Sequence, residues 1–276
     1  MSKIHHLNCG TLCPQSALLI NGTGSLFKRA RMVCHCLLIE GSKGLILIDT
    51  GIGLHDIDAP GRLGPLMNEV IHPVYDRNET AIEQVKNLGF APEDVRDIIV
   101  THLDPDHAGG LADFPHATVH VHEEELKAAL EKWAPSSLRY TARQWKHSVN
   151  WQTYTSEGER WFGFEAVKDL KGISEEILLI PLIGHTPGHS GIAVKVDGKW
   201  LLHCGDAYFF YKQIQGWFPE SPPALGLFQL VDQWNLLSWT KNLFRLRELY
   251  QKHREEIAIF CSHDPVELDS FLAQTL

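Results

Sequence analysis

Apolar residues recur along this chain in short blocks whose spacing switches between the two-residue alternation of strands and the repeat of helices. Met32–Asp49 reads as two β-rich runs joined by a Gly-Ser-Lys-Gly turn, the second run giving way to a loop at Asp49-Thr50-Gly51. Residues 79–88 carry helical spacing, with Gly89 placed to end the helix. A short helical turn over 91–97 then leads into a buried strand, Ile98–Thr101. The segment ATVHVH predicts a further strand, followed by a helix from Glu123 to about Trp133. Residues 134–170 are rich in Trp, Ser, Tyr and Arg with weak periodicity, and are expected to form a helix and a mobile loop over a cleft. EILLIPLIG is a fully apolar strand. GIAVKVDGKWLLHCGD has the signature of a hairpin turning at Asp197-Gly198. The Pro-rich FPESPPALG precedes a long helix, about Leu230 to Tyr250, and a strand in EIAIFCSHD and a short helix close the chain. Strands and helices alternate without a regular βαβ array, a repeat or a linker. These patterns predict a layered α/β (α+β) sandwich in one domain over residues 1–276.

Composition narrows the class. No apolar run has the length of a membrane span, and the amino terminus lacks the apolar core of a secretory signal, so a cytoplasmic protein is expected. Six cysteines lie scattered without a CxxC pair and are expected to be reduced, most of them buried. The formal charge of −9 argues against nucleic-acid binding, which needs a basic footprint. Sixteen histidines against three methionines raise the prior for a metal site.

The densest candidates gather where predicted strands stop: His102, Asp104, Asp106 and His107 in HLDPDH, His185 and His189 in GHTPGHS, Asp206 in HCGDAY, and His263 in CSHDP. Loops at strand ends hold side chains rigidly yet aim them into a cleft. In an extended turn, residues 102 and 104 project to one side while 106 and 107 can serve an adjacent position, so one loop can address two cations. A carboxylate such as Asp206 can bridge two metals at a separation of about 3.5–4 Å. Against this stand blander readings, in which Asp106 caps a short helix, GHTPGHS is only a Pro-Gly turn, and Asp49 binds loop amides. The remaining histidines, among them His6 and His35, are left unassigned. Cys34 and Cys36 read as buried sulfurs on one strand face.

With these segments in view, the chain resembles the metallo-β-lactamase superfamily. HLDPDH matches its HxHxDH motif except at the third position, and LILIDTG, THLDPDHAGGL, GHTPGHSGIAV, GDAY and SHD follow in the family's order. The resemblance implies an αββα sandwich of two mixed β-sheets flanked by helices, with metals at one edge. It implies that His102 and His185 bind a first metal, with Asp104 in place of the usual histidine. Asp106, His107 and His263 would bind a second, Asp206 would bridge, and His189 and Asp49 would support them. Two divalent ions are expected, zinc foremost. Because Asp104 makes the first site harder and more negative, manganese or iron gains ground there, and Asp104→His is expected to raise zinc occupancy.

Within the superfamily the chain is most similar to the N-acyl-homoserine lactonase type. Those enzymes often place a tyrosine three positions after the bridging aspartate. Here Phe209 holds that offset and Tyr208 lies one residue early, so Tyr208, or Tyr211, is expected to assist the substrate carbonyl. The function implied is metal-dependent hydrolysis of a small ester or lactone through a metal-bridging hydroxide, with Asp106 or Asp206 orienting the nucleophile and shuttling a proton. The alternatives are a di-iron or mononuclear iron oxidoreductase, since flavodiiron relatives carry a carboxylate at the position of Asp104, and a non-catalytic ligand-binding descendant. The expected partner is a small molecule, with no nucleic acid and no membrane, and a homodimer is a family-level expectation. Residues 52–78, 134–170 and 208–230 are expected to shape the pocket. Trp217, Phe218, Phe228 and Trp234 are candidates for an acyl site, for core packing or for a dimer contact.

Overall fold

The computed structural model describes residues 3–131, 139–156, 158–166 and 170–274. Six strands form one sheet in sequence order: β1 (Ile4–Leu12), β2 (Met32–Gly41), β3 (Gly44–Ile48), β4 (Val95–Ile99), β5 (Thr118–His122) and β6 (Asn150–Tyr154). Two short strands, β7 (Glu159–Trp161) and β8 (Phe164–Ala166), pair as a hairpin. The second sheet runs in the order β9 (Ile177–Pro181), β10 (Ser190–Val196), β11 (Lys199–His203) and β12 (Ile257–Phe260). Both sheets are mixed. In the first, β1, β2 and β3 pair antiparallel and β3 to β6 parallel; in the second, only β11 and β12 are parallel.

Alternation along the strands explains why the sheets stack. Leu37, Ile39, Ile46, Ile48 and Ile99 on one face of the first sheet pack against Leu179, Ile192, Val194 and Phe260 of the second. The residues between them, Leu38, Leu47 and Ile98, point to the outer side, where Ile82 and Val85 of the helix Ala81–Asn87 cover them. On the far side of the second sheet, Leu178, Ile180 and Leu202 meet Leu243, Leu246 and Leu249 of the helix Leu236–His253. The layers are therefore helix, sheet, sheet, helix, as the resemblance implied. Each fully buried aliphatic side chain contributes about 1.5–3 kcal/mol, so strands lined on both faces hold the platform that carries the loops. The β10–β11 turn takes the form its residues predict, with Asp197 and Gly198 both at positive φ, 49° and 82°.

Several expectations are corrected. The helix over Leu230–Tyr250 is two helices, Pro223–Asp232 and Leu236–His253, because Asn235 stops the first path and caps the second by accepting from the Ser238 amide at 2.9 Å. Within 134–170, where a helix and a mobile loop are expected, the described residues hold a short 3-10 turn, Ala142–Trp145, and the strands β6, β7 and β8. The helix beginning at Glu123 is described to Leu130, and its expected end near Trp133 lies outside the described residues. The strand expected at Ile98–Thr101 is Val95–Ile99, and β1 had no counterpart in the sequence reading. All six cysteines are unpaired, and five of them are buried. Among the described residues no helix is long and apolar enough to cross a membrane.

A part-buried histidine, His6, on β1 meets the buried His35 of β2. His6 Nδ1 lies 2.8 Å from His35 Nε2, and the His6 ring stacks on Phe271 with centroids 4.2 Å apart. Burial, with His203 and His5 nearby, pushes the His6 pKa down to about 4. The fold therefore favours neutral His6, and its contribution is complete above the unfolded value near 6.5. It is lost as pH falls from there towards 4, amounting to at most about 3 kcal/mol. Urea denaturation across this window is expected to show a shallower pH dependence for His6→Gln than for the wild type. Equal slopes would assign the effect elsewhere.

Candidate metal centre

All five motif-bearing loops emerge at one edge of the sandwich. Asp49 follows β3, the segment from Thr101 to His107 follows β4, His185 and His189 precede β10, Asp206 follows β11, and His263 follows β12. Parallel pairing of β3 with β4 and of β11 with β12 puts their carboxyl ends side by side. Antiparallel pairing of β10 with β11 brings the start of β10 to the same edge, with Ile192 opposite His203.

The side chains converge into two groups that share Asp206. In the first, Asp104 Oδ2 lies 3.3 Å from His102 Nε2 and 3.1 Å from His185 Nε2, and Asp206 Oδ2 lies 3.3 Å from His185 Nε2 and 3.7 Å from His102 Nε2. In the second, Asp206 Oδ1 is 3.3 Å from His107 Nε2 and 3.2 Å from His263 Nε2, which is 3.6 Å from Asp106 Oδ2. Donor atoms arranged tetrahedrally about a zinc at its usual bond lengths lie about 3.3–3.6 Å apart, and the His102–Asp104–His185 group has the spacing a cation needs; His107 clusters with His102 and Asp206, and Asp106 and His263 cluster with the Cys34 thiol. Three buried atoms at the junction of the two groups, His102 Nε2, His107 Nε2 and Asp206 Oδ1, lack any hydrogen-bond partner among the described residues. Polar atoms are seldom buried unsatisfied, and an imidazole–carboxylate set left so suits a divalent metal.

The rings are aimed from behind. Thr101 donates its amide and its hydroxyl to Asp49, at 2.7 and 2.8 Å, so its hydroxyl oxygen accepts from His102 Nδ1 at 3.0 Å. His107 Nδ1 donates to Asp49 Oδ2 at 2.8 Å, and His263 Nδ1 donates to the Val33 carbonyl at 2.8 Å. Each bond commits Nδ1 to the protein and leaves Nε2 for the centre. Asp49 is thus an orienting residue, and His107 beside it keeps its carboxyl ionised despite burial. His189 donates Nδ1 to the Leu182 carbonyl at 3.1 Å and accepts the Asp206 amide on Nε2 at 2.9 Å, fixing the backbone of the shared carboxylate. Burial and the neighbouring His102 and His185 hold it neutral. Asp206 is kept well below the usual carboxylate range, burial notwithstanding, by His263 and His107.

Three participants escaped the sequence reading. Arg139 forks onto Asp104, with Nε to Oδ1 at 2.7 Å and Nη2 to Oδ2 at 2.5 Å, and Asp232 lies on the far side of the guanidinium, its Oδ2 3.3 Å from Nη2. Glu125 is fully buried and accepts from the Leu103 amide, the Thr186 hydroxyl and the Gly188 amide at 2.9, 2.6 and 3.0 Å. It ties HLDPDH to GHTPGHS. The close approach explains Gly188, where a Cβ would collide with the Glu125 backbone.

The expectation for Tyr208 is corrected. Its side chain is fully buried in the core outside the second sheet and its hydroxyl donates to Glu267 at 2.9 Å, so it turns away from the centre. Phe209 faces the centre instead, its ring 5.0 Å from that of His263 and nearly perpendicular to it. Above the metal groups opens a cleft of about 450 Å³ with Asp104, Asp106, Arg139, Asp206 and His263 at its floor and Leu12, Ile20, Met32, Leu63, Met67, Phe209, Leu225 and Phe228 in its walls. All three expected segments contribute, 134–170 through Arg139 and Thr141, and the amino-terminal residues add to them. Trp217 and Phe218 are not in that wall; they are 94% and 77% exposed.

Comparison with known proteins agrees with this architecture. The profile of the Metallo-beta-lactamase superfamily matches residues 29–251. A Mycobacterium tuberculosis protein named "Probable metallo-hydrolase" is 39% identical over 95% of this chain and 80% of its own length. The N-acyl homoserine lactonase AttM of Agrobacterium fabrum is 26% identical, over 95% of this chain and 93% of its own. Among solved structures, a B. thuringiensis AiiA variant with N-decanoyl-L-homoserine bound at the active site superposes with a TM-score of 0.70. It is 21% identical and covers 97% of this chain and 95% of its own, a likeness of fold.

Proposed function

We propose, from the premise that the chain belongs to the metallo-beta-lactamase superfamily and is a metallohydrolase, that it hydrolyses a small lactone or ester carrying an apolar acyl group. Two divalent metal ions, zinc foremost, would be held by His102, Asp104 and His185 on one side and by Asp106, His107 and His263 on the other, with Asp206 between. The observation that carries this reading is Asp206, whose carboxylate lies between the two groups, Oδ2 towards His185 and Oδ1 towards His107, with both oxygens 3.2 Å from His263 Nε2. Metals bound there supply the Lewis acidity that polarises a carbonyl and activates water.

The chain's own residues do the rest. Asp106 belongs to the metal floor yet is only partly buried and borders the cleft, where its carboxylate can orient water and pass a proton to the departing alkoxide. Phe209 and Phe228 keep bulk water off the reacting carbonyl, and the walls built from Leu63, Met67 and Leu225 receive an aliphatic chain. The named activity of the lactonase relatives supports the lactone, and the apolar walls support the acyl group. The six unpaired cysteines suit a reducing compartment, and we place the protein in the cytoplasm.

Zinc- and manganese-loaded protein should be assayed on N-acyl homoserine lactones of increasing chain length, alongside aryl esters and phosphotriesters. Metal-dependent opening of the lactones is expected, with kcat/KM rising up to roughly fourfold per added methylene until the cleft is filled. Absence of turnover on every lactone and ester by metal-replete protein would overturn the reading. A rate indifferent to chain length would remove the acyl cleft from it.

A further inference from the structure

Asp104 brings a negative charge to a place where a neutral imidazole would bring none, and the structure supplies a matching positive charge within the same hydrogen-bond network. The Arg139 guanidinium binds both Asp104 oxygens, donates from Nη1 to the Asp232 and His185 carbonyls at 2.9 and 3.2 Å, and is only 20% exposed. The two-pronged grip also selects a rotamer. With Oδ1 taken by Nε, Oδ2 is turned to His102 and His185, while Nη2 stands 3.0 Å from His185 Nε2.

We infer that Asp104 and Arg139 act as a unit, a carboxylate–guanidinium pair standing where a neutral imidazole would, and that Arg139 is the positioning residue that keeps Asp104 on the first metal. The inference rests on the metal assignment proposed above. It reverses what the sequence alone leads one to expect of Asp104→His. That substitution removes the two-pronged anchor of Arg139 and leaves a guanidinium held by Asp232 and the His185 carbonyl, with Nη2 directed at His185 Nε2, where its positive charge opposes a metal ion. A histidine at position 104 is productive only if the arginine goes too.

The test is a double-mutant cycle on zinc binding, read by elemental analysis and by competition with a chromogenic chelator, independently of turnover. Wild type is expected to take up two equivalents. D104H should weaken first-site zinc by at least about tenfold, and D104H/R139M should regain two equivalents, so that the penalty of D104H disappears in the R139M background. R139K keeps the charge but loses the fork and should fall between wild type and R139M in first-site affinity. Second-site affinity, governed by Asp106, His107 and His263, serves as the internal control for folding and should stay within about threefold in every variant. A D104H penalty equal in both backgrounds overturns the pairing. So does a wild type that binds a single equivalent, since the guanidinium would then have replaced the first metal. Failure on lactones with the cycle intact would instead count against the substrate reading alone.

Discussion

Asp206→Ala is expected to release both metal ions and to lower kcat/KM by at least about a thousandfold, with the fold retained. Asp206 faces both donor groups, Oδ1 towards His107 and Oδ2 towards His185 and His102, with His263 Nε2 3.2 Å from each oxygen. Loss of the side chain therefore removes one donor from each group at once, whereas loss of Asp106 or His185 depletes one group only. The backbone should hold. The Asp206 amide still donates to His189 Nε2, and the Gly205 carbonyl still accepts from the Ser262 amide, so the loop after β11 keeps its path. Asp206→Asn sharpens the test, because an amide offers a donor oxygen to one group and an N–H to the other. It should retain about one equivalent of metal. Elemental analysis of both variants decides the matter, and an Asp206→Ala protein that still carries two equivalents would end the bridging assignment.

Much of this arrangement can be read from the chain, for reasons that particular residues make plain. Strands buried on both faces, such as β2 and β9, appear as apolar runs, and the runs of β3, β4, β11 and β12 stop within three residues of one the site uses, Asp49, His102, Asp206 or His263. What escaped has no periodicity to betray it. Arg139 is one cation in a stretch with weak patterning, and its partner Asp104 lies 35 residues away. Glu125 opens a helix whose first three residues are all glutamate, so nothing local separates the buried one from its exposed neighbours. The break before Leu236 did leave a trace, since Asn235 three residues ahead of Ser238 is a capping signal. Tyr208 was misplaced because offset counting assumes an extended path. Gly205 turns at a φ of 53°, and beyond it Tyr208 points into the core while Phe209 takes the face towards His263 and the candidate metal centre.

Glu125→Ala is expected to destabilise the metal-free protein by about 3–5 kcal/mol and to weaken the first metal site more than the second. The carboxylate is fully buried, and truncation strands three donors, the Leu103 and Gly188 amides and the Thr186 hydroxyl. Leu103 sits between His102 and Asp104, and Gly188 lies in the loop from His185 to His189, so the loops released are those that carry the first group of donors. The second group depends on Asp106, His107 and His263, whose rings are aimed by Asp49 and by the Val33 carbonyl and do not lean on Glu125. Glu125→Gln separates lost packing from lost acceptors. Its amide is the same size, but one oxygen serves Leu103 and the other serves Thr186 and Gly188, so either orientation sets an NH2 group against a donor. The Gln variant should therefore recover only part of the stability, whereas Thr186→Val, which removes a single donor, should cost about 1 kcal/mol. Urea denaturation gives the stabilities and zinc titration gives the site affinities. A Glu125→Ala protein within about 0.5 kcal/mol of wild type would mean that the two loops are held together by something other than this carboxylate.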